Sequence, residues 1–214
     1  MCRDLITPWQ TLYEGETGCG EQWNQRIVNE RAEQPGVVAG TARCLLERSE
    51  LPFLIRRDGT WLYKGSPISR KEMVCLFSSV LMRDEEGHYL LETPVERGRI
   101  EVEDAPLVAV EMSWKGHGRN QVLCFRTNVD KCVTAGPEHP IRITHDLLSC
   151  EPTPYLHVRD GRGQFPIEAR ICRATYYELV ALAEPGMLRG RKVFGVWSQG
   201  AFFSLGDLPS CCED

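Results

Sequence analysis

No stretch of this chain approaches the roughly 18 consecutive apolar residues that a membrane-spanning helix requires, because charged residues interrupt every apolar segment. The opening Met1-Cys2-Arg3-Asp4-Leu5 has neither the basic nor the apolar region of a signal peptide, so the expected location is the cytoplasm, away from membranes. Positive charge is also short. Lys and Arg number 25 against 30 Asp and Glu, a net charge of −5, which argues against a sequence-independent grip on nucleic acid. The densest basic run, Arg189-Gly190-Arg191-Lys192, reads as a solvated turn. Ten cysteines are present without a single CxxC, so the closely spaced ligand pairs of zinc sites are missing. In a reducing compartment these are free thiols, several packing as small hydrophobes. There is no GxSxG, HExxH, phosphate loop or Asp-x-Asp-x-Asp-Gly loop. No metal, cofactor or catalytic residue is therefore assigned, and a non-enzymatic module is the better expectation.

What is present is an ordinary folded composition, 42% hydrophobic and 26% charged over 214 residues, enough for one good core or two small ones. It also contains a phrase written twice. Pro52-Phe53-Leu54-Ile55-Arg56-Arg57-Asp58-Gly59 returns as Pro154-Tyr155-Leu156-His157-Val158-Arg159-Asp160-Gly161. A short apolar run ending in Arg-Asp-Gly reads as a strand entering a tight turn.

Around the first copy, Phe53–Arg57 and Trp61–Tyr63 make a hairpin over Asp58-Gly59. Ser69 with Glu72 forms a capping box for a helix whose stripe is Met73, Leu76, Phe77, Val80 and Leu81. His88–Glu92 and Arg99–Glu103 follow as strands. Around the second copy, Tyr155–Arg159 is the strand, Pro166-Ile167 echoes Pro67-Ile68, and Arg173–Ala183 is the helix. Lys192–Trp197 and Ala201–Leu205 close as a hairpin over Ser198–Gly200. Between the copies, Leu107–Trp114, Gln121–Thr127, Lys131–Thr134 and Ile141–Thr144 make an antiparallel meander. Before them, Glu21–Gln34 and Thr41–Glu47 read as helices.

The expected fold class is α+β: two related strand-turn-helix-strand units around antiparallel sheets, with a β-meander between them. Residues 1–50 form a partly helical extension, 51–105 the first repeat, 106–150 the meander, 151–208 the second repeat and 209–214 a polar tail.

The block from Asp58 to Ile68 resembles the hallmark of a bacterial family, the domain-of-unknown-function family numbered 1285. The likeness continues through Leu76–Leu81, Thr93–Glu96, Val102–Pro106, Ala109–Met112, Thr127-Asn128-Val129, Glu138-His139-Pro140 and Gly195–Ser198. The resemblance implies an α+β fold with duplicated motifs, a C-terminal part loosely like a pleckstrin-homology roll, a binding surface between the halves and a link to signalling. It brings no catalytic residues. Here Leu51-Pro52 stands where relatives carry a Cys-Gly pair.

The candidate ligand-binding residues between the halves are Arg57, Trp61, Tyr63, Glu103, Asp104, Glu111, Asn128, His157, Arg159 and Trp197. Aromatics beside a duplicated Arg suit a planar or anionic ligand. Alternatively, each Arg secures its own turn through Asp58 or Asp160. Glu138-His139 and His157 read as satisfied imidazoles, and Glu101, Glu103 and Asp104 as a solvated carboxylate cluster. A ligand-binding or regulatory module is the first functional expectation. The alternatives are an enzyme of small anionic substrates using Glu103, Asp104, Glu111 and His157, and a protein-interaction module docking through residues 1–50 or the meander's edge.

Overall fold

The structure, a computed structural model, describes residues 46–93, 96–145 and 151–208, all within the unit Arg43–Asp214. The helix expected over Glu21–Gln34 and the tail at 209–214 lie outside the described residues. Of the helix expected over Thr41–Glu47, Leu46 and Glu47 instead open a strand.

The first half of the described chain runs β1 (Leu46–Ile55), β2 (Trp61–Tyr63), β3 (Ser66–Pro67), α1 (Lys71–Ser79), β4 (Leu81–Arg83), β5 (Tyr89–Glu92) and β6 (Glu96–Val102). The second half runs β7 (Leu107–Lys115), β8 (Val122–Thr127), β9 (Cys132–Thr134), β10 (Ile141–His145), β11 (Pro152–Arg159) and β12 (Ile167–Ile171). It ends with α2 (Arg173–Ala181), β13 (Glu184–Leu188), β14 (Arg191–Ser198) and β15 (Ala201–Asp207).

These strands build the same topology twice. One sheet has the order β3-β2-β1-β6-β5-β4, and the other, taken from its far edge, β9-β8-β7-β12-β11-β10. In each, the first and last strands lie side by side and parallel, and every other neighbouring pair is antiparallel. A third, three-stranded sheet β13-β14-β15 closes the chain. The broad α+β expectation stands, with sheet predominating.

The repeat is therefore not the one that the doubled phrase suggests. The first copy lies on β1, which has a parallel neighbour; the second lies on β11, antiparallel on both sides. β1 corresponds in topology to β7. The 50/51 boundary expected from composition also falls inside β1. The two glycines of the phrase serve different ends. Gly59 has φ +84°, a left-handed conformation that glycine adopts without steric cost. Gly161 is not left-handed; a Cβ there would stand 2.2 Å from the Phe165 carbonyl oxygen and 3.1 Å from that of Arg83.

Local details differ from the pattern for identifiable reasons. The Ser69–Glu72 capping box does not form, because α1 begins later, with Arg70 at its N-cap and no side-chain capping bond. Leu81 leaves the helix stripe to pair with Leu91 in the β4–β5 ladder. β13 was hidden by Pro185-Gly186, which an edge strand accommodates. β12, not among the expected strands, alternates Ile167, Ala169 and Ile171 with Glu168 and Arg170, the period of a strand. The core is one cluster shared by both large sheets and the closing hairpin, from Ile55, Trp61, Phe77 and Leu91 to Phe125, Leu156, Ile171 and Val196.

Candidate functional site

In β11, Pro154, Leu156 and Val158 are buried, and the alternation puts Thr153, Tyr155, His157 and Arg159 on the opposite face. The first half of the chain meets that face through polar groups. Asp104, just past β6, accepts a hydrogen bond from the Tyr155 hydroxyl at 2.6 Å. Its other oxygen lies 3.5 Å from Arg170 Nε and 3.7 Å from Arg57 Nε. Arg142 grips Glu168 with two bonds, of 2.5 and 2.6 Å, and its guanidinium stands 4.4 Å from the centre of the Tyr155 ring. Nearby, Arg83 donates to the Pro166 carbonyl, Arg162 N–H to that of Arg83, and the Arg162 side chain to Glu92. Each charge in this cluster is answered by an opposite charge or a carbonyl. It is a latch between the halves, in which Arg170 Nε is buried without a hydrogen-bond partner and is held by the charge of Asp104 alone.

Burial, reinforced by the bond to Asp104, pushes the Tyr155 hydroxyl up to about 12. A folded value raised above the ordinary tyrosine range of about 10 contributes stability that is fully present below pH 10 and lost as pH rises toward 12. The stability difference between wild type and Tyr155→Phe should therefore shrink from about pH 10 to about pH 12 in urea titrations. A difference that stays constant across that range would contradict the assignment.

The other predicted site residues separate. Trp61 belongs to the core, stacked against Phe77 with ring centres 6.2 Å apart. Tyr63 packs on Phe53. Both were expected in a pocket, and their apolar neighbours claim them instead. Glu103 accepts the Arg57 backbone N–H at 2.8 Å. Asn128 ties the hairpins together: its side chain accepts from Val108 N–H and donates to the Gly59 carbonyl. Glu111 joins an exposed chain of ion pairs with Arg126, Asp130 and Lys71. Trp197 lies between Phe202 and the Arg119 guanidinium.

Neither duplicated Arg secures its own turn. Asp58 accepts the Thr60 N–H instead, and Asp160 lies beside His157. Arg159 donates at 2.7 Å to the carbonyls of both Ser78 and Leu81, capping the C-terminal end of α1. The enzyme reading needed Glu103, Asp104, Glu111 and His157 in one cleft, and these four bond to separate partners.

A cavity of about 260 Å³ opens beside this junction, lined by Lys131, Cys132, Val133, Thr134, Glu138, His139, Val158 and Gln199. The turn carrying Glu138 and His139 is pinned by reciprocal backbone bonds between Gly136 and His139. Gly136 lets the Gln199 side chain approach closely: a Cβ there would stand 2.1 Å from Gln199 Oε1 and push that side chain aside. His139 Nδ1 lies 3.4 Å from His157 Nδ1, and His157 Nε2 lies 3.1 Å from Asp160 Oδ1. Among the described residues Lys131 has no carboxylate partner. Burial, with the Arg159 charge adding to it, holds its ammonium below the ordinary lysine range. Sequence reasoning singled out His157 and Arg159, neighbours of the lining residues His139 and Lys131, but missed Lys131, Gln199 and the latch residues Arg142, Tyr155, Glu168 and Arg170. The one available signal was Glu138-His139 directly after a Gly-Pro turn.

Two six-stranded sheets of one topology, latched through polar groups and followed by a small closing sheet, define a duplicated α+β module. The chain belongs to the DUF1285 family. Residues 47–105 match its N-terminal domain, described as a domain of unknown function, and 106–205 match the C-terminal domain of this protein of unknown function. The two matches meet between β6 and β7, where the topology begins again. The chain is similar to a DUF1285 family protein from Silicibacter pomeroyi DSS-3, at 44% identity and TM-score 0.68, over 77% of this chain and 84% of that one. It is also similar to one from Shewanella baltica OS155, at 25% identity and TM-score 0.44, over 61% and 91% of the two chains. No curated protein matches the chain.

Proposed function

We propose that this chain is a regulatory ligand-binding module whose ligand is a small anion held in the Lys131 cavity. The observation that carries this reading is geometric: the exposed Lys131, with no carboxylate partner among the described residues, lines a polar cavity with a second cation, Arg159, close enough to lower its pKa. An ammonium in that position gains from an anion what it lost in leaving water. Thr134 and Gln199 add polar groups that orient a bound oxyanion. The cavity lies below the roughly 300–1,000 Å³ of a drug-sized site, so it suits an oxyanion or a small headgroup.

The placement also supports signalling. Arg159 feels the charge on Lys131 while capping α1, so occupancy of the cavity alters the contact that holds the first half. Titration calorimetry with inorganic phosphate tests the reading. Wild type should bind at a saturable site, and Lys131→Met should weaken binding at least about tenfold, as loss of a charge-assisted bond implies. No binding to wild type, or equal binding to both proteins, would dismiss it.

A further inference from the structure

His139 lines the cavity and its Nδ1 lies 3.4 Å from that of His157, and neither imidazole has a part in the reading above. Two nitrogen lone pairs do not face one another at that distance without a proton between them. Asp160 decides which nitrogen carries it. Its carboxylate takes the Nε2–H of His157, leaving His157 Nδ1 as an acceptor. His139 must then donate its own Nδ1–H, which leaves its Nε2 unprotonated. One added proton enters at His139 Nε2 and leaves the contact intact. A second would have to enter at His157 Nδ1, setting two N–H groups face to face. The pair is built to hold one extra proton.

The charges around the pair give that proton a use. With both imidazoles neutral, the cavity lining carries one ammonium, Lys131, and one carboxylate, Glu138. Asp160, 92% exposed, is screened by water and spent on the far side of His157. Glu168, opposite His157 in the β11–β12 register, is held by Arg142. Once protonated, the His139–His157 pair joins Lys131 and the neighbouring Arg159 as three cations against Glu138. That surplus complements a doubly charged anion better than a singly charged one.

Resting on the anion-binding reading, we infer that the cavity binds a doubly charged oxyanion, of the phosphate-monoester class, together with one proton shared by His139 and His157. The proton comes from solvent on binding and returns to solvent on release; no covalent bond changes.

Sulfate is the appropriate probe, because it keeps its double charge throughout the range in which imidazoles titrate and leaves any pH dependence to the protein. Its affinity for wild type should rise about tenfold or more from about pH 8 to about pH 5.5, as uptake of one proton requires. His139→Gln and His157→Gln should each flatten that profile. Calorimetry of wild type in two buffers of different ionisation enthalpy counts the proton directly, independent of how the variants fold. Flat wild-type affinity, no proton uptake, or an unchanged slope in folded His variants would overturn the inference while leaving the anion site standing. No sulfate binding at any pH would overturn both.

Discussion

Gly161→Ala should destabilise the protein by about 3 kcal/mol, the upper end of what overpacking a tight site costs. The added Cβ would meet the Phe165 carbonyl oxygen at 2.2 Å and the Arg83 Cβ and carbonyl oxygen at 3.0 and 3.1 Å. Two of these are backbone atoms, which cannot swing aside as a side-chain tip can. The same approach carries the bond from Arg162 N–H to the Arg83 carbonyl, 2.7 Å, so relief of the clash breaks a tie between the halves. For a domain of this size the loss corresponds to roughly 6–12 °C in the unfolding midpoint. Gly206→Ala supplies the control: its Cβ would enter open space, and its midpoint should stay close to wild type. Equal midpoints for Gly161→Ala and Gly206→Ala would refute the close approach.

Arg159→Met should cost a comparable amount, about 3 kcal/mol, by removing two charge-assisted bonds from the end of α1. Ser78 is buried, and its carbonyl would lose this donor without water to replace it. Methionine retains most of the apolar stem, so the loss reports the guanidinium. Arg159→Lys should recover only part: a single nitrogen, Nη2, reaches both carbonyls, and the shorter lysine stem keeps the charge without that reach. Arg159→Met, which removes the charge, should also let Lys131 titrate closer to its ordinary range, because Arg159 is one of the two causes that hold it down. Urea titrations and lysine side-chain NMR read these effects separately. Wild-type stability in Arg159→Met would mean that the cap contributes nothing.

Elements with local signals were legible in the chain. Trp61–Tyr63 reads as a strand after Asp58-Gly59, and the β7–β8 and β14–β15 hairpins follow from alternation and their turn residues. Sheet order was not legible. It depends on β1 lying parallel to β6 and β7 to β12, pairings between distant residues that leave no local mark. The doubled phrase misled for the same reason: eight residues specify a strand and a turn, and their neighbours in the sheet are chosen elsewhere.

At the junction, Asp104 and Arg159 stood out through charge and repetition. Their partners, Tyr155 and the carbonyls closing α1, could be known only from the fold. Lys131 shows nothing in sequence to separate it from other lysines. Its character comes from the surroundings that β9, the Gly136–His139 turn and Gln199 build around it.

The central claim is that the ligand enters the Lys131 cavity and not the latch around Asp104. Amide NMR spectra of the full chain during a phosphate titration test this most directly. The account predicts saturable shifts centred on Lys131, Thr134, Gly136, His139 and Gln199, with the amides of Arg57, Arg142 and Arg170 little changed. Shifts centred on those three arginines, or no saturable shifts at all, would contradict it.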